Sequence, residues 1–435
     1  MLNGGYDNAQ NDYILRVGES IFSPEGQEYR VLDLLGKGTF GQVAKCQPAG
    51  QSQKLALKVV KNRPAYKHQG VVEVRILHLL RAARFPPAYQ EHAVRMLDFF
   101  IFRSHLCIVF ELLGASLYEL LKQNQQHGLT LSSVRLLTEQ LLEAMVLMRQ
   151  AGIIHCDMKP ENVLLTRQLT PSVKLIDFGS ACFDRHTVFS YIQSRYYRAP
   201  EVLLGLTPYD SAIDMWSLGC ICAELIVGHP LFPGNSQFDQ LRRIFQTLGQ
   251  DSRPLHYSAA SLPTSLLDRC KHRDRYLVPH EARLKSLDEL RAAGENVPDP
   301  NIYGFEMTSL QGLAKPRYKH TLFGTDLRAK LLQDTIGGGQ LDEEEHEISL
   351  LISFLEAVLK IDPAERPTPQ EALMHPFFKR PGARFPAPSS AGPAPTSPRR
   401  TVLPGSCPSN INYFKPPPSD APLFQQAAPQ YLYSY

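Results

Sequence analysis

Two carboxylates, an amine and a carboxamide crowd one short window of this chain. Residues 155–179 read HCDMKPENVLLTRQLTPSVKLIDFG. Asp157, Lys159 and Asn162 fall in a stretch that Pro160 keeps from being helix interior. The apolar run 173–176 then delivers a second carboxylate, Asp177, directly before Phe178 and Gly179. A carboxylate beside a hydroxyl can take its proton. A carboxylate with an amide oxygen can hold a divalent cation beside a polyphosphate. An Asp-Phe-Gly triplet alone recurs by chance, whereas HxDxKPEN followed so soon by DFG is a specific combination.

Such groups need partners that face phosphate, and the chain offers them upstream. Residues 29–35 alternate as a strand and meet Gly36-Lys37-Gly38-Thr39-Phe40-Gly41. GxGxxG alone is ambiguous: in a dinucleotide-binding fold it opens a helix, and an acidic residue ends the next strand. Here residues 42–46 continue in strand-like alternation, and the next apolar strand, 55–60, carries the basic Lys58. The glycines therefore belong to a hairpin whose backbone N–H groups can fold over phosphates. After a basic, proline-containing link, Val72, Ile76, Leu79 and Leu80 recur at helical spacing over 69–80. Glu73 on that helix can turn towards Lys58; the plainer reading is a solvated helix residue. Residues 106–111 form a further strand, and Gly114 marks a boundary between two lobes.

The totals describe a soluble globular protein: 435 residues, 43% hydrophobic and 20% charged. A net charge of +3 argues for neither direct nucleic-acid binding nor a membrane surface. Cys46, Cys107, Cys156, Cys182, Cys220, Cys222, Cys270 and Cys407 include no C-x-x-C pair and read as free thiols of a reducing compartment. Residues 1–20 show no secretory signal. The longest apolar stretch, around 219–227, is broken by Glu224 and too short to span a bilayer. An intracellular, soluble protein is expected.

Residues 1–28 are expected to form an N-terminal extension whose strand-like segment, 13–17, packs on the adjoining domain. Beyond Gly114, residues 117–123 and 132–150 read as helices. Val134, Leu137, Leu141, Met145 and Met148 line one face of the second, with Ser132 its candidate cap. A polar loop runs from Gly179 to Ala199, and Asp214-Met215-Trp216-Ser217-Leu218-Gly219 starts a buried helix. Residues 251–341 hold Arg, Pro and His with little period, and Gly337-Gly338-Gly339 marks a flexible loop. The acidic cluster 342–347 opens a helix with Ile348, Leu351, Ile352, Leu355 and Leu359 as its buried face. Over 381–435 Pro, Ala and Ser dominate, and disorder is expected. Tyr413, Tyr431, Tyr433 and Tyr435 there are simply exposed, or else docking or phosphorylation sites.

Gly36, Gly38, Gly41, Lys58, Glu73, HCDMKPEN, DFG, Ala199-Pro200-Glu201 and DMWSLG stand in the order and spacing of a eukaryotic protein kinase. Among kinases the chain resembles the dual-specificity tyrosine-regulated group, and within it the Yak-type kinases. HCD in place of HRD, DFGSAC, SYIQSRYYRAPE and the leader GYDNAQNDYIL carry that likeness. It spans residues 1–380, loosely after Thr247, and leaves out the tail. It implies a bilobal α+β fold, with a small, mainly antiparallel β lobe holding one key helix and a larger helical lobe. The divisions would be 1–28, 29–113, 114–380 (with 251–341 a family-type insert) and 381–435.

The same resemblance implies ATP and Mg2+ as cofactors and gives residues their roles. Lys58 would hold the α- and β-phosphates while Glu73 fixes it. Asp177 and Asn162 would bind metal, Asp157 would accept or orient the substrate hydroxyl proton, and Lys159 would stabilise the transferring group. Gly36, Lys37, Gly38, Thr39, Phe40 and Gly41 would cover the phosphates. Val43, Ala56 and Leu164 would sandwich the adenine, backbone groups of Glu111 and Leu113 would read its edge, and Phe110 would close the rear. Glu201 and Arg366 would form an internal ion pair.

Regulation is implied by two departures from the usual kinase pattern. Cys156 stands where most kinases have an Arg that pairs with an activation-loop phosphate. That loop instead holds Tyr191, with Arg195 and Arg198 at positions able to grip a phosphotyrosine. Tyr191 would be autophosphorylated during maturation, after which targets are Ser and Thr in proteins; Phe189 replaces the first Tyr of the group's Tyr-x-Tyr. Cys156 and Cys182 are a candidate redox pair, against the plainer reading of inert buried thiols. Kinship further implies Pro after and Arg before the target, a monomer, a growth or stress signalling role, and a place in cytoplasm and nucleus. Two alternatives stand beside an active kinase. One is a catalytically inactive kinase-fold scaffold, though such chains usually lack a lysine, base or metal residue and this one lacks none. The other is a nucleotide-regulated adaptor working through the Pro-rich tail.

Overall fold

The computed structural model describes residues 2–167, 171–184, 187, 191–248, 264–278, 283–294 and 339–379. Phe189, the glycines 337 and 338, most of 251–341, and the tail 381–435 with its tyrosines lie outside the described residues.

Period-two alternation builds the first lobe. Strands β1 (Ser20–Phe22), β2 (Glu28–Lys37), β3 (Gly41–Pro48), β4 (Leu55–Val60), β5 (Met96–Phe102) and β6 (His105–Glu111) form one antiparallel sheet in the order β1-β2-β3-β4-β6-β5. Leu55, Leu57 and Val59 of β4 enter a core with Tyr13, Tyr29, Val31 and Val109. Alternation therefore turns Lys58 and Val60 to the opposite face, where helix α1 (Pro64–Leu80) packs. The register sets Lys58 across from Val43 on one side and Ile108 on the other.

Three expectations for this lobe are corrected. Helix α1 starts at Pro64, before the expected residue 69, because a proline in the first turn lacks only an N–H that has no helical partner anyway. Its buried stripe is Gly70, Glu73, Val74, Ile76, Leu77 and Leu80, so Glu73 lies inside it and Val72 and Leu79 at its margins. Residues 13–17 form no strand: Ile14 N donates to Tyr6 O across the Asp7–Tyr13 bridge, but Leu15 N turns back to Tyr13 O and the pairing does not extend. Tyr13 makes one bridge to Asp7 and buries its ring, and the leader's strand is β1.

A short helix α2 (Pro87–Gln90) and the sheet lead to the second lobe, which is mostly helical. Helix α3 (Leu117–Gln123) opens with a reciprocal Ser116–Glu119 capping box. Helix α4 (Leu131–Ala151) is capped by Thr130 rather than Ser132, since Thr130 accepts from Ser133 N, and left-handed Gly152 ends it. Val134, Leu137, Leu141, Met145 and Met148 are all buried. Four short strands come next: β7 (Ile153–Ile154), β8 (Val163–Leu165), β9 (Val173–Leu175) and β10 (Cys182–Phe183), with β7 paired to β10 and β8 to β9.

Past helix α5 (Pro200–Leu203), helix α6 (Ala212–Val227) is apolar on every side and buried along nearly its whole length. The helix Gly339–Val358 buries Leu351, Phe354, Leu355 and Val358, an i, i+3, i+4, i+7 stripe that leaves Ile348 and Ile352 half-buried at its edge. Arg366 donates to both carboxylate oxygens of buried Glu201, at 2.6 and 2.7 Å, beneath the Trp216 ring. Among the described residues no helix is long and apolar enough to cross a membrane.

Candidate active site

The turn at residues 155–157 is fixed by a carboxylate. Asp214, near the start of α6, accepts from His155 N at 2.7 Å and Cys156 N at 3.0 Å. Those bonds hold Cys156 in the left-handed region at φ 64, a conformation that costs a non-glycine residue about 1–2 kcal/mol. His155 donates through Nε2 to Ile176 O and accepts through Nδ1 from Asp157 N, so the turn and the residue before Asp177 share one ring. The same ring meets Phe178 edge-on, and Phe178 is fully buried.

Asp157 emerges with both oxygens engaged. Oδ2 accepts from Lys159 Nζ at 2.8 Å and from Asn162 Nδ2 at 3.4 Å; Oδ1 accepts from Ser194 Oγ at 2.8 Å and Ser194 N at 3.1 Å. Lys159 also reaches Ser194 Oγ at 3.0 Å. Ser194 belongs to the group although no role was expected for it; only its place between Tyr191 and Arg195 hinted at this. Asn162 spends its amide nitrogen on Asp157, leaving the carboxamide oxygen as an acceptor.

Lys58 joins the lobes. Its ammonium lies 2.7 and 2.8 Å from the oxygens of Glu73 and 2.8 Å from Asp177 Oδ1. Burial disfavours its charge, but the Asp177 and Glu73 carboxylates outweigh that and hold Lys58 above its usual range. Burial likewise pushes Asp177 up, yet Lys58 prevails and keeps it below the usual carboxylate range. Asp177 takes left-handed φ 57 and also accepts from Gly179 N, while Oδ2 has no hydrogen bond among the described residues. No three His, Cys, Asp or Glu side chains among the described residues form a metal cluster. A cation here would share Asp177 and Asn162 with a ligand's own oxygens, a donor set that fits Mg2+.

The glycine hairpin stands above these groups. A Cβ on Gly36 or Gly38 would meet nothing within 4 Å, whereas one on Gly41 would fall 2.1 Å from Val59 O. The Lys37 side chain turns to Asp12 of the leader, 2.8 Å distant. Phe40 packs edge-on against Tyr66 of α1. Ala56 pairs with Phe110 across the sheet, and Leu164 bridges to Ser116, which places Val43, Ala56 and Leu164 on elements flanking the lobe junction. Glu111 spends its carboxylate on Arg95 N and Lys174 Nζ. Leu113 has no backbone hydrogen bond among the described residues, so its N–H and C=O are available to a ligand.

Residues 29–287, which hold the Lys58–Glu73–Asp177 cluster and the Asp157–Lys159–Asn162 turn, match the model of the protein kinase domain. The chain belongs to the protein kinase family. It is 41% identical over 406 residues to the dual specificity protein kinase YAK1 of Saccharomyces cerevisiae, covering 89% of this chain and 47% of that one. It is 44% identical over 392 residues to the serine/threonine-protein kinase ppk15 of Schizosaccharomyces pombe, covering 88% and 67%. The human dual specificity tyrosine-phosphorylation-regulated kinase 4 shares 50% over 221 residues, 51% of this chain and 42% of that one. The chain thus spans about half of the budding-yeast kinase and two-thirds of the fission-yeast one.

Two groups of candidate regulatory residues lie in this kinase domain. Arg195 donates to Gly234 O and Asn235 O, and Arg198 to Ile192 O and Gln193 O, so both guanidiniums already hold backbone. What joins Arg198 to Tyr191 is stacking, with the guanidinium 4.2 Å from the ring centroid; its Nη1 is buried without a hydrogen bond. Cys156 and Cys182 are free thiols with sulfurs 3.7 Å apart. Their mutual hydrogen bond, with burial, pushes Cys156 well up, and the same bond draws Cys182 down.

Proposed function

We propose that the chain is an active protein kinase that transfers the γ-phosphoryl group of ATP to Ser and Thr of protein substrates and, during maturation, to its own Tyr191. The observation that carries this reading is the Lys58 ammonium shared by Glu73 of one lobe and Asp177 of the other. Lys58 would neutralise the α- and β-phosphates, with Glu73 fixing its position. Asp157 would receive or orient the incoming hydroxyl proton, and Lys159 would balance charge on the transferring group. The backbone of residues 36–41 would cover the phosphates. Val43, Ala56 and Leu164 would enclose the adenine, Glu111 and Leu113 would read its edge through backbone, and Phe110 would narrow the rear against bulky inhibitors. Asp177 and Asn162 would hold Mg2+, which would supply charge neutralisation on the phosphates.

Substrate preference turns on Gln193. It sits beside Ser194 at left-handed φ 63, and its carbonyl accepts from Arg198 Nη2 at 2.7 Å. With that carbonyl engaged, an N–H on the residue after the target would lack an acceptor there, and proline has no N–H to satisfy. Glu161, exposed and without an ion pair among the described residues, suits an Arg before the target. A monomeric state, cytoplasmic and nuclear location, and a growth or stress signalling role rest on kinship alone. Tyr191 as the phosphorylated tyrosine is supported by its exposure and its stacking on Arg198.

The deciding test is incorporation of γ-phosphate into a basic protein by wild type and by Asp177→Asn. Near-complete loss in the variant supports catalysis. Equal background incorporation by both refutes it and leaves the scaffold reading. A peptide array then reads the Pro and Arg preferences, and mass spectrometry reads Tyr191.

A further inference from the structure

The leader carries a buried carboxylate that reaches the glycine hairpin. Asp12 has a fully buried side chain; its Oδ2 lies 2.8 Å from Lys37 Nζ and accepts from Asn8 Nδ2 at 3.1 Å. Its Oδ1 has no hydrogen bond among the described residues and faces Lys61 Nζ at 3.8 Å. Lys37 ends β2, and Lys61 directly succeeds β4, whose Val60 pairs with Gly41. One carboxylate thus addresses the hairpin at Lys37 and, through Lys61, the end of the strand that pairs with Gly41. Lys61 N also donates to Phe40 O at 2.9 Å, and Gln42 Nε2 donates to Tyr13 O at 2.7 Å.

The leader that presents Asp12 is itself pinned to the sheet. Asp7 accepts from Asn62 at 3.1 Å and from His105 Nε2 at 2.9 Å. Asn62 N donates to Asn11 O, and Arg63 Nε donates to Asn11 Oδ1 at 2.7 Å. Gly36 and Gly38, on either side of the anchored Lys37, have open space around them. A loop so rich in glycine must surrender conformational freedom to close on a ligand, and fixed neighbours reduce what remains to be lost.

We infer that Asp12 is a positioning residue that, through Lys37 and Lys61, preorganises the glycine hairpin for the phosphates of a magnesium-bound nucleoside di- or triphosphate. This rests on the nucleotide-binding reading of the hairpin. The rival is that Asp12 merely fastens the leader. On that view its loss would lower thermal stability and leave nucleotide affinity alone.

The test uses the full chain and Mg–ADP binding by calorimetry, with KM and kcat for ATP and a peptide beside it. Asp12→Asn is expected to weaken Mg–ADP and raise KM for ATP about three- to ten-fold, with kcat at saturating ATP and peptide KM unchanged. Lys37→Met, a change at a half-exposed side chain, should do the same if Asp12→Asn fails to fold. The two together should cost no more than either alone, because they break one link. Asp12→Glu should restore part of the affinity. Mg–ADP affinity within two-fold of wild type in both single variants overturns the inference, as do additive losses. Wild type that fails to bind Mg–ADP at all overturns the nucleotide reading and this inference with it.

Discussion

Ser194 Oγ donates to Asp157 Oδ1 over 2.8 Å. That contact aims the carboxylate, and Lys159, 3.0 Å from the same hydroxyl, is aimed with it. Ser194→Ala removes the hydroxyl bonds but keeps the backbone bond from residue 194 to Asp157. With one of two orienting bonds gone, kcat should fall about ten-fold, with both KM values little changed. Steady-state kinetics at saturating ATP decide it; an unchanged kcat would show that the backbone bond suffices.

The three hairpin glycines should separate into two kinds. Gly41→Ala sets a methyl against Val59 O, 2.1 Å from the ideal Cβ, and should cost about 2–3 kcal/mol of stability. Gly38→Ala meets nothing within 4 Å, so the fold should not register it. A methyl there does obstruct close approach of backbone to phosphate, and Mg–ADP affinity should drop about three- to ten-fold. Thermal unfolding paired with nucleotide titration on each variant tells the two apart.

Arg366 should matter to the fold and not to the chemistry. It donates to both oxygens of Glu201 and to the carbonyls of Lys360, Ile361 and Ala212, all under the Trp216 ring. Arg366→Met leaves Glu201 buried without its cation, a loss of about 3–5 kcal/mol. Arg366→Lys should recover little, because an ammonium cannot serve both carboxylate oxygens and three carbonyls at once. Urea unfolding of the three proteins measures this.

What could be read in the sequence was whatever local spacing encodes. Lys58, Asp157, Asn162 and Asp177 stood out because chemistry and strand or turn pattern coincide within a few residues. Ser194, the Asp214 clamp and the Asp12–Lys37 link did not, since each depends on contacts between segments far apart in sequence. The start of α1 was missed by treating Pro64 as a breaker when it opens the helix. Glu73 reads in the sequence as a partner for Lys58, with a solvated helix residue as the plainer alternative; it lies within the buried stripe and pairs with Lys58 there. The leader's alternation at 13–17 suggests a strand; pairing stops at the Asp7–Tyr13 bridge, where Leu15 N turns back to Tyr13 O.

His92 should make the lobe junction sensitive to pH. Its Nδ1 lies 2.9 Å from Val173 O and its Nε2 3.1 Å from Glu143 Oε2. Both partners are acceptors, so a ring bonded to both carries two protons and a positive charge. The contact is also where the lobes are stitched: Leu175 N donates to His92 O, and Val94 N to Leu175 O. Burial pulls the imidazole down, but Glu143, the Val173 carbonyl and the Glu91 charge together hold it above the ordinary 6.5. A raised folded-state value means the stabilisation is complete below 6.5 and is lost as pH climbs through the higher folded value. His92→Gln should therefore melt below wild type at pH 6 and converge with it as pH rises past the raised folded-state value, while Glu143→Gln should shrink the same pH dependence. Melting curves across that range check this, and a gap between wild type and His92→Gln that stays constant with pH would mean the ring is held neutral.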